Sequence, residues 1–241
     1  MGKQGVMRKT GAAGHRDFAA DEQDRGPGIP SLLTNNPKAG QWDGRKLSQG
    51  IVADYKQLVM TDGEGIRSSL YVSGCPFRCQ GCYNSSIWDF KAGHPYTQEL
   101  EDQIIRDLSL SYVQGITYLG GEPLLNTPML LGLSKRIRQE FGQEKDIWCW
   151  TGYTWEELNR PGETPDKAEL ISYLDVLVDG RYLEDQKNSL LQFRGSSNQR
   201  IIDVPKSLET GQLVLWAKVH DQTRFIPETY SKNREQEQKR G

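Results

Sequence analysis

Long apolar runs are missing from this 241-residue chain. No window approaches the roughly 18 consecutive apolar residues that a membrane-spanning helix needs, and mean hydropathy is −0.68. The first residues contain no apolar stretch of the kind a secretory signal carries. A dominant charge is missing as well. Thirty basic side chains face 32 acidic ones, for a net charge of −2 and a pI near 6.0, which excludes nucleic-acid binding through bulk electrostatics. Histidine occurs three times, as His15, His94 and His220, too few for a His-rich metal centre. Cysteine occurs four times, unevenly placed, which does not suit a disulfide framework. A soluble, cytoplasmic protein with no nucleic-acid or membrane partner is expected.

What the chain does have is three of its four cysteines within eight positions: Cys75, Cys79 and Cys82, with Cys149 apart. Thiols packed this tightly point to a metal site. Residues 1–45 are polar and Gly-, Asp- and Arg-rich with no sustained apolar periodicity. Such a stretch buries too little surface to offset its ordering entropy. Residues 1–34 are therefore expected to be a disordered or non-native leader, and 222–241 a polar tail. The core between them, 35–221, is about 185 residues, the size of one domain.

Within the core, short apolar runs alternate with helical patterns. Ser68–Ser73, Gly115–Leu119, Ile147–Trp150 and Asp175–Val178 read as buried strands, being short and β-branched or aromatic. Thr97 is placed to cap a helix with Leu100, Ile104, Leu108 and Tyr112 on one face. Thr127-Pro128 starts a second helix as its cap and first-position proline, with Leu130, Leu133, Ile137 and Phe141 as its face and Gly142 as its stop. Thr164-Pro165 repeats that start before 168–174. Successive βα units of this spacing predict a parallel α/β sheet, open or barrel-like. Loops leaving its strands would converge on one edge, where ligands bind in parallel α/β folds. Those loops are the cysteine segment, Gly120-Gly121-Glu122-Pro123, Thr151-Gly152-Tyr153 and Asp179-Gly180-Arg181.

The cysteine segment is a C-x3-C-x2-C pattern. Three thiolates on one short loop are able to ligate three irons of a cubane iron–sulfur cluster, leaving one iron open for substrate. The alternative is a structural zinc site completed by Cys149 or His94. Zinc sites usually show paired C-x2-C halves, and only one half exists here. Cys149 also lies inside a predicted strand, where an inert buried thiol is expected.

Several motifs in order carry a family likeness. The segments DGEGIRSSLYVSGCPFRCQGCYN, YLGGEPL, WTGYTWEEL, DVLVDGRY and RGSSNQRI, spanning about 35–204, resemble the radical S-adenosylmethionine (SAM) superfamily. Within it they resemble the glycyl-radical-enzyme activases that serve the anaerobic ribonucleoside-triphosphate reductase. The resemblance implies a single-domain partial (β/α) barrel of parallel strands. It implies a [4Fe–4S] cluster on Cys75, Cys79 and Cys82, with SAM chelating the fourth iron. It also implies reductive cleavage of SAM to a 5′-deoxyadenosyl radical, which takes a hydrogen atom from a glycine of the reductase's large subunit. A low-potential, flavodoxin-like protein would supply the electron. Activation of another glycyl radical enzyme, of lyase type, is the neighbouring possibility, and a zinc-stabilised interaction module the non-enzymatic one. The small core leaves little sequence for a substrate domain, which favours a macromolecular substrate.

By the same resemblance, Gly120 and Gly121 let the backbone approach the ligand and Glu122 accepts from the SAM amino group. Thr151-Gly152 borders the methionine part, with Asp179 and Arg181 near the same pocket. Related activases carry Asp-x-Lys where this chain has Asp-Gly-Arg. The position before the third cysteine is commonly aromatic in the superfamily and is Gly81 here, so Tyr83 is left to stack on adenine. Asn84 hydrogen-bonds the ligand or caps the turn. Arg194–Gln199 is a polar turn placed at a partner-facing rim by the likeness alone. Trp148, Trp150 and Trp155 read as packing.

Overall fold

A computed structural model of the chain describes residues 36–221, all within the unit Leu33–Gly241. The expected leader, 1–34, and tail, 222–241, lie outside the described residues. The described chain begins with a one-turn helix α1 (Gly44–Leu47) capped by Asp43, then strands β1 (Ile51–Val59) and β2 (Ile66–Val72). After the cysteine loop come a two-residue strand β3 (His94–Pro95), helix α2 (Gln98–Leu108) and strand β4 (Val113–Gly120). Helix α3 (Thr127–Phe141) and strand β5 (Asp146–Trp150) follow, then short helices α4 (Trp155–Leu158) and α5 (Pro165–Ile171). Strands β6 (Val176–Asp179) and β7 (Arg200–Asp203) and helix α6 (Val204–Thr210) complete the order.

The seven strands form one sheet in the order β3-β1-β2-β4-β5-β6-β7. The expectation of all-parallel strands needs correction. β2, β4, β5 and β6 run parallel, but β1, β3 and β7 pair antiparallel at the flanks. The sheet is mixed and does not close, because β3 and β7 are its edges. The physical reason lies in the connections. β1 joins β2 through a short turn around Asp62-Gly63, and a short turn permits only an antiparallel return. The parallel strands follow chain order, each reached through a helix, so right-handed crossovers put those helices on the same face.

Side-chain alternation sorts the two faces. Leu70, Ile116, Tyr118, Ile147, Cys149 and Leu177 pack with Ile104 and Leu108 of α2, Leu130, Leu133 and Ile137 of α3, and Leu170 of α5. The intervening residues face the other way, where Trp148, Val176, Val178 and Ile201 meet Trp150, Phe193 and Trp216. Trp148 stacks on Trp150 at 5.8 Å and meets Trp216 edge-on at 6.0 Å. On that second face Arg67 is wholly buried. Its guanidinium donates to Thr117 Oγ1 (2.6 Å), Glu64 O (2.8 Å), Ile116 O (3.0 Å) and Asp146 Oδ1 (2.6 Å), and lies 5.0 Å from the Trp148 ring centroid.

Helix starts agree with the sequence reading, with one shift. Thr97 caps α2 through its side chain, which accepts from Leu100 N, and Thr164 precedes Pro165 at the start of α5. The cap of α3 is Asn126, and Thr127 is already its first residue. The Thr127 hydroxyl is drawn inward to Asp166 on α5 instead. α2 also ends before Tyr112, which lies exposed ahead of β4, and α5 ends before Leu174. Among the described residues no helix is long and apolar enough to cross a membrane.

Candidate iron–sulfur site

Because β2, β4, β5 and β6 are parallel, the four unusual loops emerge along one edge of the sheet. The first two are hydrogen-bonded to each other. Gly121 N donates to Val72 O and Glu122 N to Gly74 O, both at 2.8 Å. Glycine is required in both loops, for different contacts. A Cβ on Gly121 would sit 2.5 Å from Gly74 O, and Gly74 adopts φ +89° with its missing Cβ directed into the Phe90 ring. Asn126, buried, donates from Nδ2 to Ser73 O (2.9 Å) and to Glu122 O (3.1 Å), fixing the start of the cysteine loop from behind.

Phe77, between the first two cysteines, is the loop's anchor. It is buried and meets Trp42 at 4.9 Å and Tyr153 at 5.0 Å, both edge-on. Gly152 lies against the same ring, where a Cβ would come within 2.5 Å of it. The Arg181 guanidinium covers it at 4.6 Å from the centroid. The third and fourth loops are thus held by packing onto a residue of the first.

Glu122 joins the second loop to the third. Its carboxylate is 1% exposed and accepts from Leu124 N (3.0 Å), Thr151 Oγ1 (2.7 Å) and Gly152 N (2.8 Å). Burial pushes its pKa up to about 7, against the lowering effect of those donors. Asp179 is also buried and turned away from solvent, accepting from Trp155 N (2.8 Å) and from Arg200. Arg181 forks onto Glu157 through two hydrogen bonds of 2.9 and 2.8 Å. Glu157 also closes the capping box of α4 with Thr154.

Cys75, Cys79 and Cys82 are all free thiols, each partly accessible on the loop, whereas Cys149 is buried in the core beneath the helices. Burial pushes the Cys75 and Cys79 thiols up, and a bound cation would favour their thiolate forms. Three soft sulfur donors from one glycine-shaped loop fit an iron–sulfur cluster. Among the described residues no three His, Cys, Asp or Glu side chains close around a single ion. His94 lies on the edge strand β3, exposed. Tyr83 is 98% exposed. Asn84 stands at the start of a short 3₁₀ turn without a side-chain capping bond. Gly81 takes φ +74° beside Tyr182 and Glu184.

The family model described as "4Fe-4S single cluster domain" matches residues 61–202, which includes all four loops. The chain is 42% identical over 151 residues to the anaerobic ribonucleoside-triphosphate reductase-activating protein of Vibrio cholerae, covering 61% of this chain and 94% of that one. The chain belongs to this activating-protein family. Its Escherichia coli (strain K12) member is 44% identical over 149 residues, covering 60% of this chain and 93% of that one. The member from Enterobacteria phage T4 is 38% identical over 142 residues, covering 58% and 85%.

Several features of the site were not legible in sequence. Phe77 as hub, Asn126 behind the loop and Glu157 under Arg181 are ordinary residue types without a motif. The Arg194–Gln199 turn proves to be a clasp on the fourth loop. Asn198 Nδ2 donates to Arg181 O (2.8 Å) and Gln199 Nε2 to Gly180 O (3.0 Å), while Gln199 Oε1 accepts from Gly195 N and Ser196 N. On the face opposite the helices, a shallow cavity of about 280 Å³ opens beside Leu119 and Trp150, the residues just before Gly120 and Thr151. Asp62, Phe193 and Arg194 form its far wall.

Proposed function

We propose that this activating-family chain holds a [4Fe–4S] cluster on Cys75, Cys79 and Cys82, binds SAM beside it, and generates a glycyl radical on the large subunit of an anaerobic ribonucleoside-triphosphate reductase. The observation that supports this most is the junction of the cysteine loop with the Gly-Gly-Glu turn, backbone to backbone, at the edge where the parallel strands end. When bound, the cluster supplies the electron that splits SAM into methionine and a 5′-deoxyadenosyl radical, which then takes a hydrogen atom from the partner's glycine.

The chain's own residues bind and orient. Gly120 and Gly121 present backbone without side chains to the methionine end of SAM. Glu122 holds Thr151 and Gly152 at the distance that frames the same pocket. Tyr83 offers an open aromatic face for adenine, and Asn84 a free amide beside it. Asp179 holds Arg200 and the start of α4, and Arg181 covers Phe77. The cavity beside Leu119 and Trp150 gives a glycine-bearing loop of the partner a way in from the face without helices. On this reading the four parallel strands are an arc of a (β/α) barrel, and 35–221 is the working domain. The activase is cytoplasmic and takes its electron from a flavodoxin-like donor.

Anaerobic reconstitution with iron and sulfide tests the proposal. The protein is expected to gain the broad absorbance of an iron–sulfur cluster and, once reduced, to release 5′-deoxyadenosine from SAM. Cys79→Ala abolishes both, and Cys149→Ala leaves both, since that thiol belongs to the core. Reconstituted, reduced protein that leaves SAM intact in the presence of the reductase would refute the reading.

A further inference from the structure

We propose that the Arg181–Glu157 ion pair is an electrostatic clamp on the cluster ligand Cys79, a positioning pair that sets how readily the cluster accepts its electron. The inference rests on the reading that the three cysteines hold a cluster. Its ground is where the fourth loop lies. The segment from Arg181 to Glu184 packs against the cysteine loop on both sides of Cys79. Two residues before Cys79, the Arg181 guanidinium lies 4.6 Å from the centre of the Phe77 ring. Two residues after it, Gly81 faces Tyr182 and Glu184 so closely that a Cβ would fall 3.3 Å from the Tyr182 ring and 1.9 Å from Glu184 Oε2.

The cation is not free to wander. Glu157 grips it with two parallel hydrogen bonds, and the two side chains are only 10% and 15% exposed. Phe77 supports it from below and is itself wedged between Trp42 and Tyr153. The backbone on either side is pinned by Asn198 and Gln199. A lysine has neither the fork for Glu157 nor the planar face for Phe77.

Cluster potentials are set by nearby charge and by hydrogen bonds to the sulfurs. One-electron reduction adds one negative charge to the cluster. A fixed cation packed on Phe77, two residues before Cys79, therefore favours the reduced state, and Glu157 beside the cation offsets part of that gain. The pair has opposite signs, so its two members act oppositely.

The test uses full-length wild type, Arg181→Gln, Glu157→Gln and the double variant, each reconstituted anaerobically. Iron and sulfide per chain are measured, and the cluster midpoint is read by electron paramagnetic resonance in a dithionite titration with mediators, without SAM or reductase. Glu157→Gln keeps an acceptor for the capping box of α4. Arg181→Gln is expected to cut the reduced-to-oxidised ratio about tenfold at a fixed potential, a shift of about 59 mV to more negative values for one electron. Glu157→Gln is expected to shift the midpoint the other way, and the double variant to return toward wild type. Single variants that assemble clusters and shift together, or not at all, overturn the clamp. If Arg181→Gln assembles no cluster, Glu157→Gln decides alone, and a midpoint that stays or falls overturns the clamp. Wild type that takes up no iron and sulfide overturns the cluster reading itself.

Discussion

Glu122→Gln isolates the most unusual charge in the site. The carboxylate is buried and accepts three hydrogen bonds, yet burial outweighs them and raises its pKa from 4.5 to about 7. A carboxyl whose folded pKa is raised binds its proton more tightly in the folded state. Between about pH 4.5 and 7 the native protein keeps that proton and the unfolded chain has lost it. Stability therefore falls as pH rises through this window, by about 1.4 kcal/mol per unit, and levels off above pH 7. The full loss is about 3 kcal/mol. Glutamine carries no titrating proton, so this slope vanishes in the variant. Its amide nitrogen then points at one of the three donors, at a roughly constant cost of about 1–3 kcal/mol for the unmatched hydrogen bond. Urea denaturation of iron-free wild type and Glu122→Gln at matched pH values from 5 to 8 gives the comparison. The variant is expected to be clearly less stable at pH 5 and to approach wild type by pH 8. Parallel stability curves across that range would show that Glu122 does not keep its proton in the fold, and the argument from burial would fail.

Two further outcomes follow from packing. Arg67→Met leaves Asp146 without its cationic partner and two backbone carbonyls without the guanidinium donor, and should cost about 3–5 kcal/mol in urea denaturation. Adding Asp146→Asn should recover part of that loss, and a single variant that costs under about 1 kcal/mol counts against this role of the buried Arg67. Gly152→Ala drives a Cβ to 2.5 Å from the Phe77 ring, which is boxed in by Trp42, Tyr153 and Arg181. A stability loss of about 1–3 kcal/mol is expected, together with lower iron content after reconstitution, measured by iron analysis on the folded fraction.

The parallel core and its loops were legible because their signals are local. Ile147–Trp150 and the Thr97 and Thr164-Pro165 starts announce themselves within a few residues, through β-branched runs and capping chemistry. The flanking strands were not. β1 is largely exposed along its length, so its residues lack the alternation that marks a half-buried strand, and β7 has only four residues. Both are strands because a neighbour supplies their hydrogen bonds, which no local pattern records. The shift of the α3 cap from Thr127 to Asn126 has the same origin, since the Thr127 hydroxyl goes to Asp166 across a helix–helix contact.

The sequence by itself determined where the candidate side chains stand along the chain. The spacing of Cys75, Cys79 and Cys82 limits them to one loop, and strand order along the chain sends the glycine-rich turns to the same edge. The tertiary structure decided what those side chains are free to do. The family resemblance sets Glu122, Asp179 and Arg181 at or near the ligand pocket, and in the fold each also engages a protein partner: the third loop, Arg200 with α4, and Glu157. A charged group with little water around it must find its counter-charge or donors within the fold. Those partners come from segments up to 30 positions away in the chain, so only folding reveals them.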